Sequence, residues 1–402
     1  MDKQDSLLAE RMSGLAGEGA MEIFAKASAM QAEGRDIIHL EIGEPDFPTP
    51  DHIVQAAVAA LRDGKTRYTP APGIPQLRKA IAESVSARIG SPVDAGQVVV
   101  TPGAKAVAFF AMLALLEPGD EVIYADPGFP VYASMVSFTG ARAVPVRLVP
   151  QRQFGLDLQD FAAKVSPQTK LIVVNSPQNP TGGILDGEAL QAVAAAACRS
   201  NAYVLSDEIY HWLQYDDSFV SIASLPGMQE RTIILDGFSK TYAMTGWRLG
   251  YCVLPPDLVD AVTRLVINSN SCTCTFVQWA GLAALEGPQE ACEAMALAFR
   301  RRRELIVKGL NSIDGVRCGR PRGAFYVFPD VSALGIRSRE LAAFLLETAG
   351  VATIPGSAFG VNGEGFLRLT YANSEHNIQR ALERISSALG QVRGAGEIRP
   401  RR

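Results

Sequence analysis

The sequence is short of the residue patterns that bind metal ions. Its six cysteines are scattered, and the spacing of the one close pair, Cys272 and Cys274, does not fit a zinc knuckle. Its four histidines lie far apart and form no H-E-x-x-H motif. These absences argue against a metalloenzyme. Without a secretory context, the cysteines are expected to remain reduced thiols.

The chain also lacks a large charge excess and a long apolar run. Charged residues make up 20% of the chain and the net charge is -4, so no broad positive field attracts nucleic acid or an anionic membrane. No run of roughly 18 apolar residues occurs, and residues 1–20 lack the apolar core of a signal peptide. We therefore expect a cytoplasmic protein that holds small anions with local arginine and lysine side chains.

Three common enzyme motifs are missing. Gly64-Lys65-Thr66 resembles the end of a P-loop, but Ala59 stands where that motif requires its first glycine, and no strand precedes it. No G-x-G-x-x-G sequence follows a predicted strand, and no G-x-S-x-G sequence occurs. The sequence therefore gives no support for a nucleoside triphosphatase, a dinucleotide-binding fold or an α/β-hydrolase.

The sequence does contain the pattern of an α/β domain. Between about residues 50 and 250, helix-period segments alternate with short apolar runs, which predicts a mostly parallel sheet between two layers of helices. The candidate strands are 97–101, 121–125, 171–175, 203–206, 232–236 and 250–254. After the first of these, a glycine turn at 102–105 opens a predicted helix at 106–116, whose free N-H groups could face an anion.

The length of 402 residues predicts two domains, because one hydrophobic core rarely serves so long a chain. A charged helix begins around residues 288–303, and its arginine run is interpreted as a solvated face. Candidate strands and helices of a smaller α+β unit follow, at 324–327, 339–349, 366–370 and 374–389. We predict an N-terminal segment packing on the small domain, a large domain, a small domain and a disordered tail, with bounds 1–48, 49–290, 291–390 and 391–402.

The most informative segment is 237–250, in which Lys240 is flanked by small and hydroxylic residues and Arg248 follows eight positions later. A lysine that attacks an aldehyde must first lose its proton, so its site has to lower its pKa by desolvation or by nearby positive charge. Arg248 can supply that charge and has the geometry to hold a phosphate. Taken alone, Lys240 could instead be a surface lysine beside a turn.

Three further residues are candidates for holding an aldehyde cofactor. Asp207 directly follows strand 203–206, at the sheet edge where ligands bind, and a carboxylate there could hold the proton of a pyridine nitrogen; a helix N-cap is an equally good interpretation. Tyr210 is expected one helical turn later, on the same face. Asn179 lies in a turn rich in proline and glycine that could aim its amide at the same ligand. A core tyrosine and a plain turn are the alternatives.

These motifs together resemble the class I/II aminotransferases of fold type I, of the aspartate aminotransferase type. Segment 237–250 resembles that family's pyridoxal-phosphate attachment signature, and Asn179-Pro180-Thr181-Gly182 and Asp207-Glu208-Ile209-Tyr210 resemble its two other core motifs. Segments 43–47 and 68–73 and the late Arg368 match in the same order. The resemblance implies a homodimer that uses pyridoxal 5'-phosphate to move an amino group between an L-amino acid and a 2-oxo acid.

The resemblance also implies a role for each matching residue. Lys240 would form the Schiff base and shuttle the proton, Asp207 would pair with the pyridine nitrogen, and Asn179 and Tyr210 would bond the phenolic oxygen. The remaining cofactor contacts would come from Phe129 stacked on the ring and, at the phosphate, from Arg248, Ser239, the amides of Gly103, Ala104 and Lys105, and Tyr68 of a second subunit. Arg368 would bind the substrate α-carboxylate with help from the Gly43 amide, and Phe129 and Asn179 would also border the substrate.

The substrate is less constrained than the reaction. A lysine like Lys105 can bind the distal carboxylate of a dicarboxylic substrate in related enzymes, which favours glutamate or aspartate as donor. Glu18 would repel such a side chain, or attract a basic one, if it faces the pocket; the alternative is a helix-start carboxylate that favours the helix dipole. Elimination, replacement, cyclisation or oxidation on the same cofactor is an alternative. A cofactor-binding regulator is disfavoured, because no basic helix-turn-helix domain is evident.

Overall fold

The structure is a computed structural model that describes residues 8–15, 17, 19–216 and 219–395. The strands in this part of the chain are β1 (Ile38–His39), β2 (Val98–Thr101), β3 (Glu121–Asp126), β4 (Arg142–Val149), β5 (Gly155–Leu156), β6 (Thr169–Asn175), β7 (Tyr203–Asp207), β8 (Thr232–Gly237), β9 (Gly250–Val253), β10 (Tyr326–Val327), β11 (Val351–Ala352), β12 (Ile354–Pro355) and β13 (Leu367–Thr370). The α-helices are α1 (Gly19–Ala32), α2 (Asp51–Arg62), α3 (Pro75–Ile89), α4 (Ala104–Leu115), α5 (Val131–Thr139), α6 (Leu158–Lys164), α7 (Gly187–Ser200), α8 (Pro256–Asn270), α9 (Thr275–Glu286), α10 (Glu290–Asn311), α11 (Ser338–Phe344) and α12 (Glu375–Ala395).

Eight strands form the central sheet, in the order β2-β9-β8-β7-β6-β3-β4-β5. The pairs from β8 through β7, β6 and β3 to β4 are parallel, whereas β9 runs antiparallel to both of its neighbours and β5 runs antiparallel to β4. Residues 171–174 of β6 are buried without a break, as expected for a strand with helices on both faces. The predicted α/β class with a mostly parallel central sheet is confirmed.

All six strands predicted for this sheet are present within two residues of their expected bounds, but β4 and β5 were not predicted. β4 alternates buried and solvent-facing positions and contains Pro145 and two arginines, so it carries no continuous apolar run. A proline also argues against a strand interior, because it cannot donate to the ladder. β4 pairs on its far side only with the two-residue β5, so this part of the sheet tolerates such a strand.

Two small sheets complete the fold. β10, β13 and β12 form an antiparallel sheet, and β1 pairs in parallel with β11 through Ile38 and Val351. This pairing brings the chain just before residue 43 against the C-terminal part of the protein. Helix α12 continues to Ala395, beyond residue 390, where we expected a disordered tail to begin, and residues 396–402 lie outside the described part. The domain bounds stay a prediction.

The arginine run of α10 divides between solvent and core. Side chains of Arg300 and Arg301 are 54% and 67% exposed, but those of Arg302 and Arg303 are 10% and 0% exposed. The interpretation of this run as a solvated face was therefore wrong for its last two members. Successive helix positions point about 100° apart, so four adjacent residues cannot share one face. None of the described helices has the length and hydropathy required to cross a bilayer.

Candidate active site

A cavity of about 480 Å³ lies between the central sheet and the three-stranded sheet of β10, β13 and β12, beside the C-terminal ends of β6, β7 and β8. It is lined by eleven of the residues predicted from sequence: Gly43, Ala104, Lys105, Phe129, Asn179, Asp207, Tyr210, Ser239, Lys240, Arg248 and Arg368. Gly103 is not among the lining residues, but it contacts the guanidinium of Arg248, which is. Tyr68 is 87% exposed and does not line the cavity of its own chain, and Glu18 lies outside the described residues.

Lys240 follows β8 and extends its amine into this cavity. Its Nζ donates a hydrogen bond to the carbonyl oxygen of Gly43. Burial, the largest cause, lowers the pKa of Lys240 to about 8; Arg368 and Arg248 add to the effect, and Glu44 opposes it. Desolvation and neighbouring positive charge, the two effects expected to lower this pKa, therefore both act on Lys240. At neutral pH and above, this amine therefore exists in its nucleophilic form far more often than an ordinary lysine.

Asp207 is the last residue of β7 and is 7% exposed. Its Oδ2 accepts a hydrogen bond from the hydroxyl of Tyr132, and its Oδ1 accepts one from the backbone N-H of Ile209 at 3.2 Å. Burial raises the pKa of Asp207 to about 6, and the bond from Tyr132 opposes that rise. A buried carboxylate in a ligand cavity is best stabilised by an opposite charge, which a protonated pyridine nitrogen would bring.

The segment after Asp207 is a turn, so the predicted helical turn between Asp207 and Tyr210 was wrong. The turn still brings both side chains to the same cavity. The hydroxyl of Tyr210 lies 2.8 Å from the hydroxyl of Tyr326. Burial and the neighbouring Tyr326 raise the pKa of Tyr210 well above its usual value, so this phenol is neutral and can donate a hydrogen bond to a ligand oxygen.

One end of the cavity is built for an anion. Helix α4 begins at Ala104, its N-cap residue Gly103 has φ 89°, and no side chain caps its first N-H groups. A Cβ at Gly103 would lie 2.3 Å from Nη2 of Arg248, so the guanidinium lies directly against this helix start. Nη1 of Arg248 donates to the carbonyl oxygen of Thr245 at 2.9 Å. The start of a helix and a fixed guanidinium together suit a phosphate group.

The opposite end carries Arg368 from β13, which is 4% exposed. Its Nη1 donates to Oδ1 of Asn179 at 3.0 Å and its Nη2 donates to the carbonyl oxygen of Glu41. Its Nε has no hydrogen-bond partner among the described residues. The guanidinium carbon lies 4.6 Å from the ring centroid of Tyr326. A substrate carboxylate would bond the second N-H groups of Nη1 and Nη2 and balance the buried charge.

These features fit pyridoxal phosphate. The cavity combines a lysine of lowered pKa, a buried carboxylate near it and an anion-binding helix start. Phe129 lines the same cavity and presents an aromatic ring. Each group corresponds to one part of the cofactor: the aldehyde, the ring nitrogen, the phosphate and the ring face.

Sequence reasoning missed Tyr132, which bonds Asp207, and Tyr326, which bonds Tyr210 and stacks under Arg368. Tyr132 stands 75 residues before its partner, and Tyr326 stands 116 residues after Tyr210. No local spacing connects such pairs. The position of Tyr132 one turn after Phe129, in the first turn of α5, was the only available signal.

Comparison with known proteins gives the same picture over nearly the whole chain. The model of the family "Aminotransferase class I and II" matches residues 35–385. A protein of Aquifex aeolicus named probable aspartate/prephenate aminotransferase is 41% identical over 392 residues, covering 96% of this chain and 99% of that protein. The aspartate aminotransferase of Pyrococcus horikoshii is 40% identical over 392 residues, covering 96% and 98%.

Solved structures agree with the sequence comparisons. The aspartate aminotransferase of Thermus thermophilus, solved with maleate, superimposes with a TM-score of 0.91 at 39% identity. The match covers 95% of this chain and 100% of that chain. This similarity extends over the central sheet and the small sheets alike, so the fold is that of the aspartate aminotransferases.

Proposed function

The chain belongs to the class I and II aminotransferases and is a transaminase, and on that basis we propose that it uses pyridoxal 5'-phosphate to transfer the amino group of aspartate or glutamate to a 2-oxo acid. The observation that carries this proposal is the presence of Lys240, Arg368 and Lys105 in one cavity. Arg368 suits an α-carboxylate, and Lys105 offers a second positive charge for a distal one. The relatives named aspartate aminotransferases support the same substrate class.

The chemistry that pyridoxal phosphate supplies when bound is an aldehyde that exchanges amines and a protonated ring that withdraws electrons from the substrate Cα. Lys240 takes the first role on the protein side, because its amine is deprotonated often enough to attack the aldehyde. With the cofactor bound, the Nζ of Lys240 would also serve as the general base that moves the proton of the substrate Cα. The bond from Nζ to the Gly43 carbonyl holds the amine at the substrate side of the cavity.

Asp207 would hold the proton at the ring nitrogen, with its carboxylate oriented by Tyr132. Arg248, the first N-H groups of α4 and Ser239 would hold the phosphate. Tyr210 would donate to the phenolic oxygen. Burial of Asp207 and Tyr210 keeps water away from these contacts, which strengthens each of them.

Arg368 binds the α-carboxylate of the substrate. Its guanidinium is held by a hydrogen bond to the side-chain oxygen of Asn179, which follows β6 of the central sheet. Nη1 and Nη2 each bond one protein acceptor, so each has a second N-H with which the planar fork can hold the carboxylate. The Gly43 amide assists. The substrate amine is then held near Lys240, whose Nζ contacts the same glycine.

We infer a homodimer in which Tyr68 of each subunit completes the phosphate site of the other. An aromatic side chain that is 87% exposed in the single chain, and absent from its own cavity, supports this inference. Mixing a Lys240→Ala variant with a Tyr68→Ala variant tests it. If Tyr68 acts across the interface, random reassociation leaves about one quarter of all sites intact and activity exceeds the sum of the two variants. If it acts within its own chain, the mixture gains nothing.

A single-turnover absorbance experiment tests the substrate. The cofactor-loaded enzyme is mixed with one amino acid and no acceptor, and conversion to the pyridoxamine form is followed. Aspartate and glutamate should convert it completely, and Lys105→Ala should slow them while leaving alanine unchanged. Equal slowing of alanine would reject Lys105 as the distal-carboxylate residue. Release of ammonia without the pyridoxamine form would instead favour an elimination reaction.

A further inference from the structure

A cluster of buried charged side chains lies next to Asp207 but outside the residues that line the cavity. We call it the Arg88 cluster, and it comprises Arg88, Glu208, Asp236 and His211. Arg88 comes from the last turn of α3, Glu208 directly follows Asp207, and Asp236 belongs to β8. The side chains of Arg88, Glu208 and Asp236 are 13%, 1% and 1% exposed. No role in the reaction described above accounts for them.

Arg88 connects the two carboxylates of this cluster. Its Nη1 donates to Oδ2 of Asp236 at 2.6 Å, and its Nη2 lies 3.1 Å from Oε2 of Glu208. Oδ2 of Asp236 also accepts from the hydroxyl of Tyr251, and its Oδ1 accepts from the N-H of Gly237. Oε1 of Glu208 accepts from the hydroxyls of Ser206 and Ser221. Among the described residues, Arg88 is therefore the permanent cation that pairs with both buried carboxylates, through a hydrogen bond to Asp236 and an ion pair with Glu208.

The charges of the cluster are closely balanced. Burial alone would raise the pKa of Asp236, but His211 and Arg88 outweigh it and lower that pKa well below its usual range. Burial would lower the pKa of Arg88, but Asp236 and Glu208 raise it instead. Nδ1 of His211 lies 3.2 Å from Oδ2 of Asp236. With Arg88 removed, at least one of the two carboxylates would be left without a permanent counter-charge.

The charges of this cluster act on Asp207, an ionisable group that lines the cavity. Asp207 directly precedes Glu208 in the sequence, and in the sheet it pairs with Leu235, the residue before Asp236. Both carboxylates repel a negative charge on Asp207. The other ionisable groups near Asp207 are Tyr132 of α5, Tyr210 in the following turn, and Lys240 and Arg368 in the cavity. Among all of these, only Glu208 and Asp236 disfavour the ionised carboxylate by charge.

We propose that Arg88 is a positioning residue for transamination: by balancing Glu208 and Asp236, it keeps the carboxylate of Asp207 ionised and able to hold the proton of the cofactor's ring nitrogen. The proposal rests on the role proposed for Asp207. Arg88 touches neither substrate nor cofactor and acts through Asp207 alone. A purely structural role would link α3 to the sheet without changing the protonation of Asp207.

The test compares Arg88→Met with the charge-balanced double variant Arg88→Met/Glu208→Gln. For each protein, the dissociation constant of pyridoxal phosphate is measured by cofactor absorbance at several values between about pH 6 and 9. In Arg88→Met the carboxylate of Asp207 should stay protonated to a higher pH. The acid limb of the affinity profile should therefore move upward by about one unit, which weakens cofactor binding about tenfold on that limb.

The double variant separates charge from structure. It also lacks the arginine, but it has one carboxylate fewer, so its profile should return towards that of the unaltered protein. Arg88→Lys, which keeps the charge, should also keep the profile. A profile unchanged in Arg88→Met, or a double variant no better than the single one, would overturn the proposal.

Two further variants cover the remaining outcomes. If Arg88→Met does not fold, Glu208→Gln alone gives the opposite test: with Arg88 present and one repulsive charge removed, the acid limb should move to lower pH, and an unmoved limb rejects the proposal. Asp207→Asn shows which idea fails. If it leaves cofactor affinity intact, the proposed site is wrong; if it lowers affinity while the Arg88 variants do not, only the inference about Arg88 is wrong.

Discussion

Nη1 of Arg368 donates a hydrogen bond to Oδ1 of Asn179 at 3.0 Å, which joins the predicted substrate-carboxylate residue to a predicted cofactor residue. The backbone N-H of Asn179 is itself held by Oδ1 of Asn175 at 2.9 Å, at the end of β6. With its oxygen committed to Arg368, the amide of Asn179 has its nitrogen left to donate to a ligand. Asn179 therefore uses its oxygen for the predicted substrate-binding residue and keeps its nitrogen for the predicted cofactor contact.

Replacing Arg368 with alanine should lower kcat/KM for every α-amino acid by about 10²- to 10³-fold, because charge-assisted hydrogen bonds contribute about 1.5–3 kcal/mol each. The absorbance of the bound cofactor should not change. Arg368→Lys keeps the charge but loses the planar fork, so it should recover only part of the activity. An unchanged KM in steady-state assays of Arg368→Ala would remove this residue from the site.

Tyr132→Phe should shift the pH dependence of activity. The hydroxyl of Tyr132 lowers the pKa of Asp207, so its removal raises that pKa and leaves the carboxylate protonated to a higher pH. The acid limb of the kcat/KM profile should therefore move upward, and the alkaline limb should stay. Tyr124→Phe is a matched control, because no side-chain hydrogen bond of Tyr124 is present among the described residues. Identical profiles for both variants would contradict the assigned contact.

Gly103→Ala should weaken binding of pyridoxal phosphate about tenfold or more. Its φ of 89° disfavours any residue with a Cβ, and that atom would lie 2.3 Å from Nη2 of Arg248 and displace the guanidinium. Binding of pyridoxal, which has no phosphate, should change much less. Gly246→Ala, between Lys240 and Arg248 in the sequence, is the control, because a Cβ at Gly246 would lie more than 4 Å from any neighbouring atom. Equal losses for the two ligands would place the phosphate elsewhere.

Arg303→Ala should destabilise the protein by about 1.5–3 kcal/mol, because it removes a buried guanidinium and its hydrogen bonds to the partly exposed Asp216 and to the Pro321 carbonyl. Arg303 is fully buried and donates to Asp216 at 2.6 Å and to the carbonyl oxygen of Pro321 at 2.9 Å. Arg301→Ala removes an arginine that is 67% exposed, two positions earlier in α10, and should change stability by less than about 0.5 kcal/mol. Urea unfolding of both variants measures the difference. Similar losses of unfolding free energy in the two variants would show that the buried Arg303 contributes no more to stability than the exposed Arg301.

The sequence was sufficient for the α/β class, the six predicted strands of the central sheet and the residues that follow those strands. Lys240, Asp207 and Asn179 each stand just after an apolar run, and parallel strands bring such positions to one edge of a sheet. Local pattern therefore predicted which residues meet. The family resemblance added Arg368 and Gly43, which lie far from that edge in sequence.

The rest depended on contacts that no local pattern encodes. Tyr132 bonds Asp207 across 75 residues, and Arg88 bonds Asp236 across 148. The burial of Arg303 depends on Asp216, which the periodicity of α10 alone does not identify. The segment after Asp207 forms turns rather than the predicted helical turn: the N-H of His211 bonds the carbonyl oxygen of Glu208 and the N-H of Leu213 bonds that of Tyr210.

The most direct test of the account is reduction of the cofactor-loaded enzyme with borohydride, followed by digestion and peptide mass spectrometry. Borohydride makes a carbon-nitrogen bond between lysine and cofactor permanent. The account predicts one modified peptide, which carries the added mass on Lys240 and disappears in Lys240→Ala. A cofactor mass on another lysine, or no modified peptide from a protein that binds the cofactor, would contradict it.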